Sequence, residues 1–418
     1  MNPTTFLPML TRVLDEVNQI SLPGPGFTRP SYSNEESRAH ECIAGICEAL
    51  GLKIRYDPAG NLFARLPGRD PSLPAVHIGS HLDTVGQGGA YDGTAGVAAA
   101  VALAAWFVER GQPPQADLIV TVTRAEESVW FPVSYAGSRM ALGRLHPEEL
   151  EARRRDTGRT LAEHMREQGF DPDAIHGLTP LRKGRFVEVH IEQGPVLSAA
   201  GDTFALVTGI RGGLRYRTAQ IHGAWAHSGA APRAARADSV FAFADLVTAL
   251  DSDWAETLAR GDDLAVTFGI VDAASPVHAM AKVPGELGFC LDLRSDDKAI
   301  LERTDAKLAI RIAGIEAQRP GIQFALGPQS HSMPVQLSAV LLEGLRQAAL
   351  ALYRPLPEML SGGGHDAAAF AAAGWDAAML FVRNEHGSHN PDEAMHPQDL
   401  AEAVAVLAHW LDHKQDGN

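Results

Sequence analysis

The sequence predicts an α/β protein with a mixed sheet, interrupted by an inserted ferredoxin-like α+β segment. Short apolar runs at 75–79 and 117–123 are typical of strands buried on both faces of a sheet. Later in the chain, a strand-helix-strand-strand-helix-strand order is the ferredoxin-like pattern. Because the α/β pattern resumes after it, we expect a main domain at 1–209 and 328–418 and an inserted domain at 210–327.

Before the insertion, helices are expected where apolar residues recur at helical spacing or capping residues precede them, at 3–20, 34–50, 95–108 and 150–168. Strands are expected where short apolar or β-branched runs end in turn residues, at 52–56, 61–66, 75–79, 117–123 and 186–191. The run of Arg153, Arg154 and Arg155 is expected to be a solvated helix face.

Within the insertion, apolar–polar alternation predicts strands at 214–222, 264–271, 287–293 and 322–326. Longer periodic stretches predict helices at 237–260 and 298–317. After the insertion, the same patterns predict helices at 337–352, 365–373 and 397–413 and an apolar strand at 377–382.

The composition is ordinary for a globular protein, with 45% hydrophobic and 21% charged residues over 418 residues. A formal net charge of −15 argues against nucleic acid or an anionic membrane as a partner. The apolar run 95–108 is too short to cross a bilayer, and Asp15 and Glu16 stand where a signal peptide needs an apolar core. Three cysteines without metal or redox spacing are expected to be reduced, so we expect a cytoplasmic protein.

Ligand-type side chains follow the strand at 75–79. His81 and Asp83 are two residues apart, so on an extended chain they share one face. A glycine-rich loop then delivers Asp92. This set suits zinc or a similar divalent ion, with Asp83 orienting the imidazole of His81. A buried histidine satisfied by a neighbouring aspartate is the alternative.

Similar side chains follow three other predicted strands. Glu126 and Glu127 come after the strand at 117–123, His190 closes the strand at 186–191, and His389 lies beyond the last strand. In open α/β sheets, sites form at the carboxyl ends of strands. Each of these residues alone fits a structural role, but together they predict a metal site. Adjacent carboxylates allow one to bind metal while the other acts as a base.

The motifs HLDTV, YDG, AEES, HIEQGP, GHDA and GSHNPDE resemble those of the M20-type binuclear zinc amidohydrolases. More narrowly, they are similar to the hydantoinase/carbamoylase branch, which includes N-carbamoyl-L-amino acid hydrolases, allantoate amidohydrolases and β-ureidopropionases. The resemblance runs nearly from end to end. It implies a zinc-exopeptidase-like catalytic domain and an inserted lid through which two chains form a homodimer.

The resemblance also implies roles for these residues. It implies two divalent metal ions per chain, zinc first, with manganese, cobalt or nickel as alternatives, held by His81, Asp92, Glu127, His190 and His389. Asp83 then orients a ligand and Glu126 is the general base. His227 in the lid resembles the family's lid histidine and is the candidate oxyanion donor, with a plain surface-loop histidine as the alternative.

The substrate residues are less sharply defined. Arg294 stands where the family has an arginine for the substrate carboxylate; pairing with Asp292, Asp296 or Asp297 is its alternative. Further candidates for substrate contact are Gln193, His278, Lys282 and Arg211. The chain departs from the family pattern at Ser128 and Trp130, at Gly213 in place of glutamine and at Ala281 in place of asparagine.

The expected reaction is hydrolysis of the ureido C–N bond of an N-carbamoyl-L-amino acid or a related ureido acid, releasing ammonia, carbon dioxide and the amino acid. Allantoate or β-ureidopropionate is the alternative substrate. A dipeptidase or N-acyl amino acid deacylase of the same superfamily is a further alternative. A non-catalytic scaffold relative would have lost a ligand or the base, and this chain has lost neither.

Overall fold

The computed structural model describes residues 1–177, 179–274, 276–353 and 355–413. The chain divides into two compact units. Unit 1 is formed by Met1–Thr208 and Gln336–Asn418, and unit 2 by Gly209–Val335. The sequence placed the second boundary earlier, at 327, and the end of its last segment, 414–418, lies outside the described residues.

The strands in chain order are β1 Lys53–Tyr56, β2 Leu62–Leu66, β3 Val76–His81, β4 Leu118–Thr123, β5 Arg185–Ile191, β6 Phe204–Ile210, β7 Gly212–His222, β8 Ala226–His227, β9 Ala265–Thr267, β10 Val271–Asp272, β11 Lys282–Val283, β12 Glu286–Ser295, β13 Gln323–Ala325, β14 Gln329–Ser332, β15 Val335–Gln336, β16 Glu358–Ser361 and β17 Asp376–Val382.

The α-helices in chain order are α1 Leu7–Asn18, α2 Asn34–Ala49, α3 Thr94–Glu109, α4 Ala136–Ala141, α5 Leu161–Glu167, α6 Val196–Ala200, α7 Ser239–Ala259, α8 Lys298–Gln318, α9 Ala339–Leu352, α10 Asp366–Ala372 and α11 Pro397–His413. In the part of the chain that the structure describes, no helix combines the length and apolarity needed to span a bilayer.

Unit 1 is built on a mixed sheet, as the sequence predicted. Its strand order is β1-β2-β4-β3-β5-β17-β6, with β15 and β16 added beside β6. The central strands β4, β3, β5 and β17 run parallel to one another. The outer strands β1, β2 and β6 pair antiparallel, with β2 beside β4 and β6 beside β17. The four parallel strands therefore end along one edge of the sheet. This edge carries the candidate site.

Helix α3 packs against the middle of this sheet because its sequence leaves almost no polar surface. Its residues from Thr94 to Phe107 are all buried, and most of them are alanine or valine. A Cβ atom at Gly96 would lie 2.2 Å from the carbonyl oxygen of Val189, so glycine allows the helix to approach β5 closely. This close packing fixes the start of α3, which directly follows Asp92.

Unit 2 contains an antiparallel sheet of order β10-β12-β7-β13, with β14 beside β7 and β9 beside β12. Helices α7 and α8 pack on one face of this sheet, where Leu214, Ile221, Leu246, Leu291 and Leu308 form part of a buried core. A small second sheet pairs β8 with β11. Within this unit, the main elements follow in the order strand, helix, strand, strand, helix, strand.

The helix predicted at 150–168 is wrong. The chain instead forms a 3-10 turn at Pro147–Glu151 and then helix α5. Between them Arg153 pairs with Thr160 in an isolated β-bridge, and the backbone turns through Gly158 with φ of 67°. Thr160 starts α5 through a capping box with Glu163.

Three smaller predictions also need correction. Arg154 is buried instead of solvated, and its guanidinium binds Asp156 with an Nε–Oδ1 distance of 2.7 Å. The single strand predicted at 264–271 is two short strands, β9 and β10. Strand β6, at Phe204–Ile210, was not predicted.

Candidate metal centre and active site

The parallel strands of unit 1 bring the ligand-type side chains to one edge of the sheet. His81 is the last residue of β3, and His190 is the next-to-last residue of β5. Glu126 and Glu127 follow the end of β4. His389 lies in the loop that follows β17. Because these strands are sheet neighbours, residues far apart in sequence converge.

The first ligand group is His81, Asp92 and His190, whose ligand atoms all lie within 4.8 Å of one another. The Oδ1 atom of Asp92 is 3.2 Å from Nε2 of His190 and 3.5 Å from Nε2 of His81. All three residues are buried. The two imidazole rings stack at 5.8 Å between centroids, so their Nε2 atoms face the same space.

The second ligand group is Asp92, Glu127 and His389. The Nε2 atom of His389 lies 3.4 Å from Oδ2 of Asp92 and 3.3 Å from Oε1 of Glu127. Asp92 belongs to both groups, because each of its oxygens faces a different one. The structure thus brings together all five residues for which the resemblance implied metal binding.

Hydrogen bonds orient the histidines of the first group. Nδ1 of His81 lies 3.0 Å from the carbonyl oxygen of Asp83, and Nδ1 of His190 lies 2.9 Å from that of Ile191. A carbonyl oxygen only accepts, so each Nδ1 carries a proton, and in the neutral ring each Nε2 then presents a lone pair. That is the tautomer a metal ligand needs.

Asp83 contacts more than His81. Its carboxylate accepts hydrogen bonds from the backbone amides of Glu126 at 3.1 Å and Glu127 at 3.2 Å, and from the hydroxyl of Ser31 at 2.6 Å. Its Oδ1 atom is also 3.3 Å from Nδ1 of His81. Asp83 therefore links the end of β3 to the segment that carries both glutamates.

Glu126 belongs to neither ligand group, although it is buried beside them. Its Oε2 atom lies 3.9 Å from Nε2 of His81. Burial, together with the charges of Glu127 and Asp366, raises the pKa of Glu126, while His81 opposes the shift. A carboxyl group whose pKa lies above its usual range is suited to receive and return a proton.

The donor set fits a divalent cation. It combines imidazole nitrogens with carboxylate oxygens, which is the ligand chemistry of zinc and similar metals. The buried carboxylates of the site also require positive charge nearby. Hydrogen bonds to Asp92 and Glu127 raise the pKa of His389 to about 11, which favours its protonated form. The pKa of His190 is also raised by Asp92, although burial opposes the shift. In the metal-free protein, protons on these histidines supply the positive charge.

Three non-glycine residues around the ligands adopt left-handed backbone conformations. They are Ala125 with φ of 49°, Gln193 with φ of 64° and His389 with φ of 61°. Each such residue costs on the order of 1–3 kcal/mol and persists only where its surroundings hold it in place. Gln193 is held by its side chain, whose Nε2 donates to Oδ2 of Asp92 at 2.8 Å. These three strained positions are therefore part of, or next to, the segments that carry or hold the ligands.

The sequence analysis assigned no role to Arg29, which follows helix α1. This fully buried guanidinium donates to the carbonyl of Leu82 at 2.7 Å and to the hydroxyl of Thr94 at 2.9 Å. It thereby joins both ends of the loop that carries Asp92. Burial lowers the pKa of Arg29 to about 10.

Two buried carboxylates behind the ligands were also missed. Glu188 accepts from the hydroxyl of Ser80 at 2.7 Å and from the amide of Ala367 at 2.8 Å. Asp366 accepts from the hydroxyl of Thr123. Strand β5 is buried on both faces from Phe186 to Ile191, which includes Glu188. The partners of Glu188 lie on other elements, so no local pattern reveals them.

The remaining candidates belong to unit 2. His227 is exposed, and its Nδ1 accepts from the amides of Gly229 at 3.1 Å and Ala230 at 3.2 Å. Lys282 donates to the carbonyl of Val277 at 2.9 Å. The ring of His278 stands edge-on to Trp225, with centroids 4.7 Å apart.

Both candidate arginines of unit 2 are paired. Nη2 of Arg294 lies 2.8 Å from Oδ2 of Asp292, which is the partner that the sequence left open as an alternative. Nε of Arg211 lies 2.8 Å from Oδ2 of Asp263. Each arginine is therefore held in place by an aspartate.

Histidines and carboxylates gathered at the ends of parallel strands define a metal-dependent hydrolase of the α/β class. The chain belongs to peptidase family M20/M25/M40, whose family model matches residues 77–413.

Individual relatives cover nearly the whole chain. It is 31% identical over 403 residues to the N-carbamoyl-L-amino-acid amidohydrolase of Paenarthrobacter aurescens, covering 95% of each protein. It is 33% identical over 395 residues to the allantoate amidohydrolase of Escherichia coli K12, covering 93% of each. A solved hydantoinase/carbamoylase family amidase from Burkholderia multivorans superposes with a TM-score of 0.87, at 26% identity and 97% coverage of each chain.

Metal uptake by the metal-free protein at pH 8 is expected to release about one proton or more per chain, because a cation replaces the proton on His389. Its pKa is raised, so its contribution to the stability of the metal-free protein is complete below about pH 6.5. That contribution is lost as the pH rises towards about 11. Titration calorimetry in buffers of different ionisation enthalpy measures the proton count.

His396→Gln is the matched control, because this exposed histidine belongs to neither ligand group. Its proton release should equal that of the unaltered protein. Metal binding without any proton release would contradict the expected protonation of His389.

Proposed function

We propose that the protein is an amidohydrolase that uses two divalent metal ions, zinc first, to cleave the ureido C–N bond of an N-carbamoyl-L-amino acid. Manganese, cobalt and nickel are alternatives that fit the same donors. The observation that carries the proposal is the carboxylate of Asp92, whose two oxygens each face a different ligand group. Glu126 stands beside these groups without belonging to either.

In this mechanism Glu126 is the general base and His227 the oxyanion donor. When bound, the ions lower the pKa of the attacking water and polarise the substrate carbonyl. Glu126 takes the proton of that water and later gives it to the leaving nitrogen. A C–O bond forms and the C–N bond breaks, so the products are the amino acid and carbamate, which decomposes to ammonia and carbon dioxide.

The hydrogen bonds of His227 support its role. Nδ1 accepts from two backbone amides, so in the neutral ring the proton is on Nε2. That nitrogen is then a donor, as stabilisation of an oxyanion requires. Asp83 orients His81 through Nδ1, and Gln193 holds Asp92 through its side-chain amide.

We assign the substrate carboxylate to Arg294. Asp292 holds the guanidinium in one orientation, which lowers the entropy lost when a substrate carboxylate binds to it. Lys282 pairs with His227 in the β8–β11 ladder. Lys282 and His278 both contact the ring of Trp225, and we propose them as further substrate contacts. Arg211, paired with Asp263, is the weakest of the substrate candidates.

The relatives suggest two candidate classes of ureido substrate. Both N-carbamoyl-L-amino-acid amidohydrolases and allantoate amidohydrolases are among the proteins that the chain resembles over more than nine-tenths of its length. β-Ureidopropionate offers the same ureido group on a longer acid. Dipeptides and N-acyl amino acids are the further alternative within the superfamily.

Ammonia release over a panel of these compounds tests the function. We expect the highest kcat/KM for N-carbamoyl-L-amino acids, with Arg294→Ala costing about 30-fold or more for the acid and much less for its carboxamide. Arg303→Ala, which alters an exposed arginine of the same unit, is the control. Equal turnover of acid and carboxamide by the unaltered enzyme would contradict the assignment of the substrate carboxylate to Arg294. Exclusive cleavage of dipeptides would overturn the proposed function.

We expect substitutions of the two adjacent glutamates to have different effects. Glu126→Gln is expected to keep bound metal and lose about 10²–10⁴-fold in kcat, which is the usual contribution of a general base. Glu127→Gln should lower metal affinity, because its Oε1 lies beside His389 in the second ligand group. Steady-state kinetics together with metal analysis checks both, and an exchange of the two behaviours would reverse the assignment.

Unit 2 is proposed to act as a lid and to join two chains in a homodimer. Its edge strand β10 and the residue before it expose apolar side chains, with Val271 48% and Ile270 63% accessible. Exposed apolar strand edges are uncommon in monomers, because they invite pairing with another chain.

Light scattering should therefore give the mass of a dimer, and Val271→Lys should weaken it by placing a charge on that edge. Lys282→Ala, away from β10, should leave the mass unchanged. A monomer at micromolar concentration would contradict this interface.

A further inference from the structure

Two loops of unit 1 carry the ligands that complete the second ligand group. Loop 82–93, between β3 and α3, carries Asp92, and loop 383–396, between β17 and α11, carries His389. Loop segments are the most mobile parts of a fold unless other contacts hold them. A contact that joins these two loops would therefore control the geometry of the site.

Glu393 makes such a contact. Its Oε1 atom accepts hydrogen bonds from the backbone amides of Tyr91 at 2.9 Å and Asp92 at 3.2 Å. Its side chain therefore reaches from loop 383–396 to the backbone of the candidate ligand itself. Glu393 is only 6% exposed, so its carboxyl group depends on these partners for the interactions that it loses with water.

The other oxygen of Glu393 reaches the same aspartate by a second route. The hydroxyl of Ser388 lies 2.6 Å from Oε2 of Glu393 and 2.8 Å from Oδ2 of Asp92. Asp92 is thus held at its backbone by Glu393 directly and at its carboxylate through Ser388. Ser388 is the residue immediately before His389, so the contact ties both ligands together.

The packing leaves little freedom for this arrangement. A Cβ atom at Gly89 would lie 2.0 Å from Cδ of Glu393, so the backbone of loop 82–93 packs directly on the carboxyl group. On the other side, Glu385 and Ala394 form an isolated β-bridge with N–O distances of 2.8 and 3.1 Å. This bridge closes loop 383–396 at the position next to Glu393.

We propose that Glu393 is a positioning residue that latches loop 82–93 to loop 383–396 and so fixes Asp92 and His389 in register for metal binding. The inference rests on the metal site of the proposed function. Asp92 serves both ligand groups, so a displacement of its carboxylate disturbs both at once. Residues that orient metal ligands are commonly worth 10- to 100-fold in metal affinity.

The alternative is that Glu393 merely stabilises the fold. Glu393→Gln separates the two, because the amide keeps the size and every hydrogen bond of the latch. Its oxygen still accepts from the two backbone amides, and its NH₂ group donates to Ser388, whose hydroxyl then donates to Asp92. Glu393→Ala removes all of these contacts. Asp392→Ala, at the exposed neighbouring position, is the control.

Two measurements on the full-length protein decide the question. Zinc affinity, from competition with a chromophoric chelator, should fall about 10- to 100-fold in Glu393→Ala and stay within about three-fold of the unaltered protein in Glu393→Gln. Hydrogen exchange of the peptide containing Tyr91 and Asp92, in metal-free protein, should show lost protection only in Glu393→Ala.

Gly89→Ala tests the same contact from loop 82–93. It changes none of the polar atoms through which Glu393 holds this loop. The added Cβ displaces the Glu393 carboxyl group, so this variant should reproduce the loss of zinc affinity. Gly86→Ala is its matched control in the same loop, because a Cβ there meets only a carbon of Trp130, at 3.9 Å.

The latch is overturned if Glu393→Ala keeps both zinc affinity and amide protection, or if it lowers the melting temperature without changing zinc affinity. It is also overturned if Glu393→Gln fails as badly as Glu393→Ala, because a charge and not the hydrogen bonds would then matter. If the unaltered protein binds no divalent metal, the proposed function fails. The exchange measurement then still decides, and protection that persists in Glu393→Ala would overturn the latch.

Discussion

The carboxylate of Asp92 is the contact on which the rest of the site depends. One of its oxygens lies 3.2 Å from His190, and the other lies 3.4 Å from His389. Such a carboxylate is stable in a buried place only when its partners compensate for lost hydration. Its position in turn depends on a loop held at both ends by the buried guanidinium of Arg29. The fold around β3 and α3 therefore serves to present a single side chain.

The negative charge at this edge of the sheet explains why the fold favours binding of a cation. Within a short distance of Asp92, the sheet ends in three further buried carboxylates, Asp83, Glu126 and Glu127. Burial raises the pKa of Glu126 and Glu127, which shows that the metal-free arrangement opposes full ionisation. A divalent ion relieves the same repulsion without protons. Metal binding and the stability of this edge are therefore linked.

The sequence predicted unit 1 well where the signal is local. Apolar runs define β3, β4 and β17, and the ligand-type residues after them identify the edge at which they meet. The prediction failed at 150–168, because charged residues suited to a helix surface form a bridge and a turn around Gly158 instead. Contacts such as that of Glu393 with the backbone of Asp92 join residues about 300 positions apart. No periodicity reveals them, although the motif that contains Glu393 was recognised.

The departure from the family pattern at Gly213 lies beside a paired arginine of the same strand. The resembling family has glutamine there, but a Cβ at this position would lie 2.8 Å from Nη2 of Arg215. Arg215 uses that space to place its Nε 3.1 Å from Oδ1 of Asp292, whose other oxygen holds Arg294. The space beside Gly213 is therefore occupied by the guanidinium of Arg215. Two arginines share the carboxylate of Asp292, so this set of three side chains carries a net positive charge. The sequence could not show this, because β7 and β12 bring Arg215 and Asp292 together only when they pair.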